Sequence, residues 1–498
     1  NPKSGKSTLQ RQLMTREHIL PKCLRSEVSI KAGESTSAAG DADAIQRLFP
    51  NSFGQPILEL IPTAGADTAG KSPLNVGVVL SGGQASGGHN VICSIFDSVK
   101  RHHPDSKVFG FLGGPKGIFT GKYMLLEAEY VDKYRNQGGF DMIRSGRDKI
   151  ETPDQFAGAA KVVQSLSLNG LVVIGGDDSN TNAALLAEYF SANKIPVTVI
   201  GCPKTIDGDL KTSDVLTSFG FDTACKVYSS SIANIAHDCL SSRKYYHFVR
   251  LMGRSASHIT LECALQVAPN VTIIGEEVAA EKKTLHQITM EVCDVIVQRA
   301  SLGKNYGMVL IPEGLIEFIP EVGALIGELN EILAKLGSND GHHRIAELLT
   351  PASRQVFQLL PDSIRDQLLL ERDPHGNVQV SRIESESLLI LLCEAELAAR
   401  QAAGNYQGTF HSLTHFLGYE GRSGMPSNFD SHYCYGLGAV ATALVAAKKT
   451  GYMAVVKNLQ APITDWSCWG VPITGMMNIE RRKGQDKPVI RKALVELD

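Results

Sequence analysis

Apolar residues fall along this chain in short runs stopped by glycine-rich or acidic turns, alternating with stretches of helical spacing. Residues 171–210 show the pattern most clearly. Leu171, Val172, Val173 and Ile174 form an unbroken apolar run ended by Gly175 and Gly176, as a parallel strand buried on both faces requires. Ser179 and Asn180 then start a helix with an apolar face that includes Leu185, Leu186 and Phe190, and Val197, Val199 and Ile200 supply a second strand. A right-handed βαβ unit points both strands the same way, so the turns at their carboxyl ends open on one edge of the sheet. Asp177, Asp178, Lys204, Asp207 and Asp209 lie in those turns, within reach of a single ligand.

The alternation recurs. A strand beginning at Asn75 ends in Ser81, Gly82 and Gly83, and Gly87 and Gly88 precede a helix from Asn90. Residues 108–112 form another strand, and the loop 138–147 ends with Arg144 and Arg147. Residues 246–250 run into Met252, Gly253 and Arg254 before a helix over 255–264. Strands at 271–274 and 308–311 repeat the pattern, the latter closed by Pro312, Glu313 and Gly314. From 321 to 404 the period becomes helical throughout, with Leu325, Leu329, Ile332 and later Leu388, Leu389 and Leu392. A polar loop at 418–430 carries Tyr419, Glu420, Gly421 and Arg422, followed by a helix over 435–447 and a strand from Tyr452. The tail, with Arg481, Arg482 and Lys483, reads as solvated surface.

These elements predict an α/β chain of two Rossmann-like three-layer αβα domains with a cleft between them, plus a helical insertion. Residues 1–72 are expected as an N-terminal extension with linker-like clusters at 33–43 and 63–72, the folded core starting at Asn75. Residues 73–222 and 422–475 make the larger domain; residues 223–421 and 476–498 make the smaller one, which contains the insertion 321–404.

Composition narrows the function. A length of 498 residues, 43% of them hydrophobic, with a formal net charge of −3 fits a soluble globular chain and gives no electrostatic reason for binding nucleic acid or a membrane surface. The ten cysteines include no CxxC pair and read as reduced thiols. With no apolar run near the ~18 residues of a membrane span, a cytoplasmic location is expected. The opening NPKSGKS resembles the end of a phosphate-binding P-loop whose first glycine would lie before residue 1, but basic residues crowd the next turn, so a basic extension is the simpler reading. The doublet His342-His343 has no further ligands beside it in sequence and reads as exposed rather than metal-binding.

Chemistry enters at the strand ends. Glycines there let a phosphate approach backbone N–H groups, carboxylates suit Mg²⁺ together with phosphate oxygens, and arginines suit a phosphorylated acceptor. Of two aspartates spaced as Asp207 and Asp209 are, one can orient a metal while the other takes a proton from an attacking hydroxyl. Paired aspartates in one loop are often mere caps; two pairs in one βαβ unit, with Lys204 between them, point instead to Mg²⁺-dependent phosphoryl transfer to a small phosphorylated acceptor.

Gly175-Gly176-Asp177-Asp178-Ser179, Pro203-Lys204-Thr205-Ile206-Asp207-Gly208-Asp209, Met252-Gly253-Arg254, Pro312-Glu313-Gly314 and Tyr419-Glu420-Gly421-Arg422 occur in the order seen in phosphofructokinases. From Asn75 onward the chain resembles the long, pyrophosphate-dependent branch of that family. The resemblance implies reversible transfer from pyrophosphate to the 1-hydroxyl of fructose 6-phosphate, a step of glycolysis and gluconeogenesis. It makes Asp207 the proton acceptor and Asp177 the Mg²⁺ ligand, with Asp209 in support. It assigns Thr205, Ile206, Asp207, Met252, Gly253, Arg254, Glu313, Tyr419, Glu420, Gly421 and Arg422 to the sugar phosphate. Lys244 and Tyr245 match a pair that reaches a neighbouring subunit's substrate, which implies a homodimer or higher homo-oligomer with shared active sites. Gly82 matches the donor-phosphate turn, with Gly83, Arg147 and Ser179 as further donor candidates. Asp178 stands where ATP-dependent relatives have glycine and would repel and crowd a nucleotide α-phosphate; Lys204, also glycine in those relatives, adds a cation beside the transferring group. Ser86 replaces a family proline, and Arg144 is unusual at its position. The alternatives are an ATP-dependent phosphofructokinase and a non-catalytic regulatory subunit, whose altered acidic motifs this chain does not share.

Overall fold

The structure is a computed structural model and describes residues 7–63, 71–336, 342–370, 378, 382–482 and 485–497. The chain divides into two compact units, Asn1–Ala224 with Glu420–Ala493 and Cys225–Tyr419 with Leu494–Asp498.

The apolar run of residues 171–174 lies inside the strand Gly170–Gly175, buried at every position. It is hydrogen-bonded in parallel to Asn75–Ser81 on one side and Thr198–Thr205 on the other. The parallel centre of the first unit's sheet follows the order Lys107–Phe111, Asn75–Ser81, Gly170–Gly175, Thr198–Thr205, Tyr452–Lys457. The first of these strands in the chain therefore lies beside both the second and the third. That reversal between Asn75–Ser81 and Gly170–Gly175 is a topological switch point, where open α/β sheets bind ligands beyond their strand ends.

Several sequence expectations need correction in this unit. Residues before Ser72 are not outside the core: Val28–Ser35 and Pro56–Pro62 pair antiparallel, and the latter pairs with Ser467–Pro472 at one side of the sheet. His18 stacks on Tyr435 at 4.3 Å between ring centroids, so the chain is anchored upstream of these strands. Asp177 and Asp178 sit in the first turn of the helix Asp177–Ala192 rather than in a turn before it, where the helix dipole favours carboxylates. Lys204 and Thr205 belong to the strand Thr198–Thr205 and not to the following loop. The expected loop at 418–430 contains the short helix Tyr419–Ser423 and the start of the helix Asn428–Ala446. Residues 476–493, expected in the smaller domain, belong to the first unit. There Met477–Arg482 and Gln485–Ile490 form an antiparallel hairpin.

The second unit holds a sheet of four parallel strands, ordered Val271–Thr272, Gly307–Pro312, Tyr246–Leu251, Ser412–Leu417. Leu251 lies level with Pro312 and with Leu417, so the three following turns leave the sheet at one height. The helical stretch expected at 321–404 is present as Pro320–Leu336, His342–Leu348, Pro351–Leu359, Asp362–Leu370 and Ser385–Ala402. Leu325, Leu329, Leu389 and Leu397 share one buried cluster with Phe248, Val309 and Ile311 of the sheet. Asn1–Lys6 of the P-loop-like opening, Lys483 of the tail and the side chains of His342 and His343 lie outside the described residues.

Candidate active site

At the switch point the strand Asn75–Ser81 turns through Gly82, whose φ of +86° only glycine adopts readily. The turn is pinned on both sides: Gly82 N–H donates to Gly146 O at 2.9 Å, and Ser145 Oγ donates to Gly82 O at 2.6 Å. A Cβ at Gly82 would stand 3.4 Å from Lys204 Nζ and 4.0 Å from Ser179 Oγ. One at Gly83 would stand 3.1 Å from Arg422 Nη1 and 3.9 Å from Arg147 Nη2. Glycine thus keeps open a space over which Lys204, Arg147, Arg422 and the Ser179 hydroxyl converge.

Each cation is positioned by its own element. Lys204, 5% exposed, extends from its strand and donates to Gly83 O at 2.6 Å. Burial lowers its pKa to about 8, helped by the Arg422 and Arg147 charges and opposed by Asp207 and Asp177. The ammonium is therefore poised to gain from a polyanion. Arg422 donates from Nη1 to Gln84 O at 3.1 Å. Ser86 donates to Gly424 O at 2.6 Å, a tie that a proline could not make.

The Asp207 and Asp177 charges reach Lys204, and both act in turn on Asp209. Asp207 N–H donates to the Thr205 hydroxyl at 3.0 Å, which fixes the backbone ahead of the Gly208 turn. Asp207 Oδ1 is buried without a hydrogen-bond partner, which is costly unless a ligand completes it. Asp209 is pushed up to about 6, first by burial and then by the Asp207 charge, while Lys492 acts in the opposite direction. Asp178 lies 3.2 Å from Lys149 Nζ in a partly exposed pair. Lys492 Nζ stands 3.6 Å from Asp209 Oδ2 and 3.8 Å from Asp177 Oδ2.

Lys149 and Lys492 carry no motif signal; only the fold brings them here. Arg144 is exposed, with a left-handed φ of 61°, and no described contact brings it to the glycine turn. Among the described residues no three His, Cys, Asp or Glu side chains enclose a metal. Mg²⁺, however, needs only one or two carboxylates when phosphate oxygens complete its shell. Burial and the Asp207 charge, which together raise Asp209, and the orphaned Asp207 oxygen beside it fit such a cation.

In the second unit the adjacent strand ends carry Met252-Gly253-Arg254, Glu313-Gly314 and Gly418-Tyr419. Gly253, at φ +136°, donates its N–H to Glu313 Oε2 at 3.0 Å, and Glu313 is 4% exposed. Arg254 and Tyr419 are exposed, as is Lys244, while Tyr245 is half-buried. Of the last motif, Tyr419 falls in the second unit and Glu420, Gly421 and Arg422 in the first.

The family model described as phosphofructokinase matches residues 75–445. The chain is 57% identical over 480 residues to the pyrophosphate–fructose 6-phosphate 1-phosphotransferase subunit beta 1 of Arabidopsis thaliana, covering 96% of this chain and 84% of that protein. It is 51% identical over 504 residues to the pyrophosphate–fructose 6-phosphate 1-phosphotransferase of Porphyromonas gingivalis, covering 99% and 91%. Among solved structures, the pyrophosphate-dependent phosphofructokinase from Marinobacter aquaeolei matches with a TM-score of 0.56 at 17% identity, covering 80% of this chain and 83% of that one.

Proposed function

This chain belongs to the phosphofructokinase family, and from that premise we propose that it is a pyrophosphate-dependent fructose 6-phosphate 1-phosphotransferase. The observation that carries the reading is the cradle at Gly82 and Gly83, where three cations meet one turn and the Asp207 and Asp177 charges act on Lys204. That charge pattern suits a compact polyphosphate and an acceptor hydroxyl.

In the reaction, O1 of fructose 6-phosphate attacks the terminal phosphorus of pyrophosphate. The O1–P bond forms, the bridging P–O bond breaks, and inorganic phosphate leaves. Asp207 takes the O1 proton; its unpartnered oxygen is the acceptor the step needs. Lys204 and Arg147, with the Ser179 hydroxyl and the turn at Gly82 and Gly83, bind the donor and offset the charge on its oxygens, and Arg422, beside Gly83, serves both the donor and the sugar phosphate. Asp178 keeps a carboxylate where a nucleotide α-phosphate would lie. Asp177, with Asp209 in support, would hold a Mg²⁺ ion, which when bound would supply positive charge to the phosphate oxygens. Thr205 and Ile206 shape the acceptor side next to Asp207. Met252, Gly253, Arg254, Glu313, Tyr419, Glu420, Gly421 and Arg422 bind the sugar phosphate. Lys244 and Tyr245 serve a neighbouring copy in a homo-oligomer. A cytoplasmic location accords with the finding that, among the described residues, no helix is long and apolar enough to cross a membrane.

Purified protein assayed with each donor tests the reading. Pyrophosphate should support turnover and ATP should not; turnover with ATP alone overturns the donor assignment. Asp207→Ala should lower kcat by at least about a thousandfold with little change in sugar phosphate binding, and near-normal turnover would reject the proton-acceptor role.

A further inference from the structure

Lys492 lies beyond the last motif, in a tail whose composition suggests only solvated surface. Its ammonium nevertheless faces the carboxylates of Asp209 and Asp177, at 3.6 and 3.8 Å, two residues far apart from it in sequence.

The placement is built from both directions. Before Lys492, the strand Gln485–Ile490 pairs along Met477–Arg482, and Arg491 N–H donates to Met476 O at 3.0 Å. After it, Ala493 N–H donates to Asp209 O at 2.8 Å. The backbone on one side of the lysine is thus tied to the residue whose carboxylate the lysine faces. Asp209 is 6% exposed, and Lys492 and Asp177 are 29% and 24% exposed, so water screens the attraction only in part. At these separations the amine is outside direct hydrogen-bond range of both oxygens and acts by charge, on the two groups that a divalent ion would engage.

We propose that Lys492 is a built-in counter-ion of the Asp177–Asp209 pair and competes with the divalent cation for it. The inference rests on the reading of these carboxylates as metal ligands. In the metal-free protein Lys492 offsets the repulsion among the crowded aspartates, and it sets a threshold concentration of metal below which the pair stays neutralised by the chain itself. The C-terminal segment is then part of the donor site.

Mn²⁺ binding to the full chain, read from the EPR signal of the free ion with no pyrophosphate or sugar phosphate present, tests this. Lys492→Met should bind Mn²⁺ on the order of tenfold more tightly than the wild type, the size expected for removing one unit charge near a partly solvated ion. Lys492→Gln, a second neutral variant, should do the same, and Lys492→Arg should stay near wild type. Asp177→Asn should abolish the binding in each background. Unchanged or weaker binding in both neutral variants overturns the proposal, as does binding that survives Asp177→Asn. Pyrophosphate turnover by the wild type is measured separately, so loss of the competition and failure of the phosphotransfer reading are distinguishable.

Discussion

At the scale of single residues, the site concentrates charge that the fold would be more stable without. Asp209 is buried beside Asp207 and Asp177, and its pKa rises to about 6. A carboxyl whose pKa is higher folded than unfolded is destabilising when ionised. The penalty is complete above about pH 6 and fades as the pH falls toward the unfolded value of about 4. Asp209→Asn should therefore unfold at higher denaturant than the wild type at pH 7.5, by roughly 2 kcal/mol, with the gap narrowing to about a third of that by pH 4.5. Urea melts at the two pH values check this; a lower stability at pH 7.5, or a gap independent of pH, would show that burial strain is not what raises the pKa. The sequence made the acidic residues, Lys204 and the glycines legible because each stands in a short motif at a strand end. It could not show that Asp207 keeps an oxygen without a partner, or that Lys149 and Lys492 face Asp178 and the Asp177–Asp209 pair, because those are distances between segments remote in sequence.

At the scale of elements, legibility followed burial. The parallel strands were readable because both faces are covered and the apolar run is continuous. Val28–Ser35, by contrast, is exposed over most of its length, and its small and polar residues look like linker until pairing with Pro56–Pro62 is seen. The helix Asn428–Ala446 begins earlier than its apolar pattern because Ser427 and Asp430 cap rather than pack: Ser427 Oγ accepts from Asp430 N–H at 3.1 Å. Asp430 itself, 0% exposed, accepts from Gly220 N–H at 3.1 Å and Thr223 N–H at 2.9 Å, and from the Thr223 hydroxyl. These satisfy orphan donors at the start of the helix Phe221–Ser242. Asp430→Ala would strand them in the interior and should cost about 3 kcal/mol, whereas Asp430→Asn, which keeps one acceptor oxygen, should cost about half as much. Denaturant melts and amide exchange at Gly220 and Thr223 separate the outcomes: equal losses from both variants would mean that packing, not capping, is what Asp430 provides.

At the scale of the molecule, the helical stretch that looks inserted in the sequence is part of the second unit's core. Leu388, Leu389, Cys393 and Leu397 on the helix Ser385–Ala402 are buried in the cluster that holds Phe248 of one sheet strand and Val309 and Ile311 of another. Glu386 on the same helix pairs with Arg250 at 2.6 Å, and the Arg250 guanidinium lies 4.0 Å from the centre of the Phe416 ring. Arg250 and Phe416 stand near the ends of Tyr246–Leu251 and Ser412–Leu417, where the chain continues into Met252-Gly253-Arg254 and Gly418-Tyr419. The helix thus supports the strand ends from which the proposed sugar phosphate residues depart. Leu389→Ala should then destabilise the unit by about 2–5 kcal/mol, as a cavity in a shared core does, while Leu391→Ala on the exposed face of the same helix should change stability by less than about 0.5 kcal/mol. With the fold still populated, Leu389→Ala should also raise KM for fructose 6-phosphate more than KM for pyrophosphate, since the proposed donor cradle lies wholly within the other unit. A helix that merely decorated the sheet would give two mild variants and no change in either KM, and steady-state kinetics beside urea melts of both proteins decide between the two.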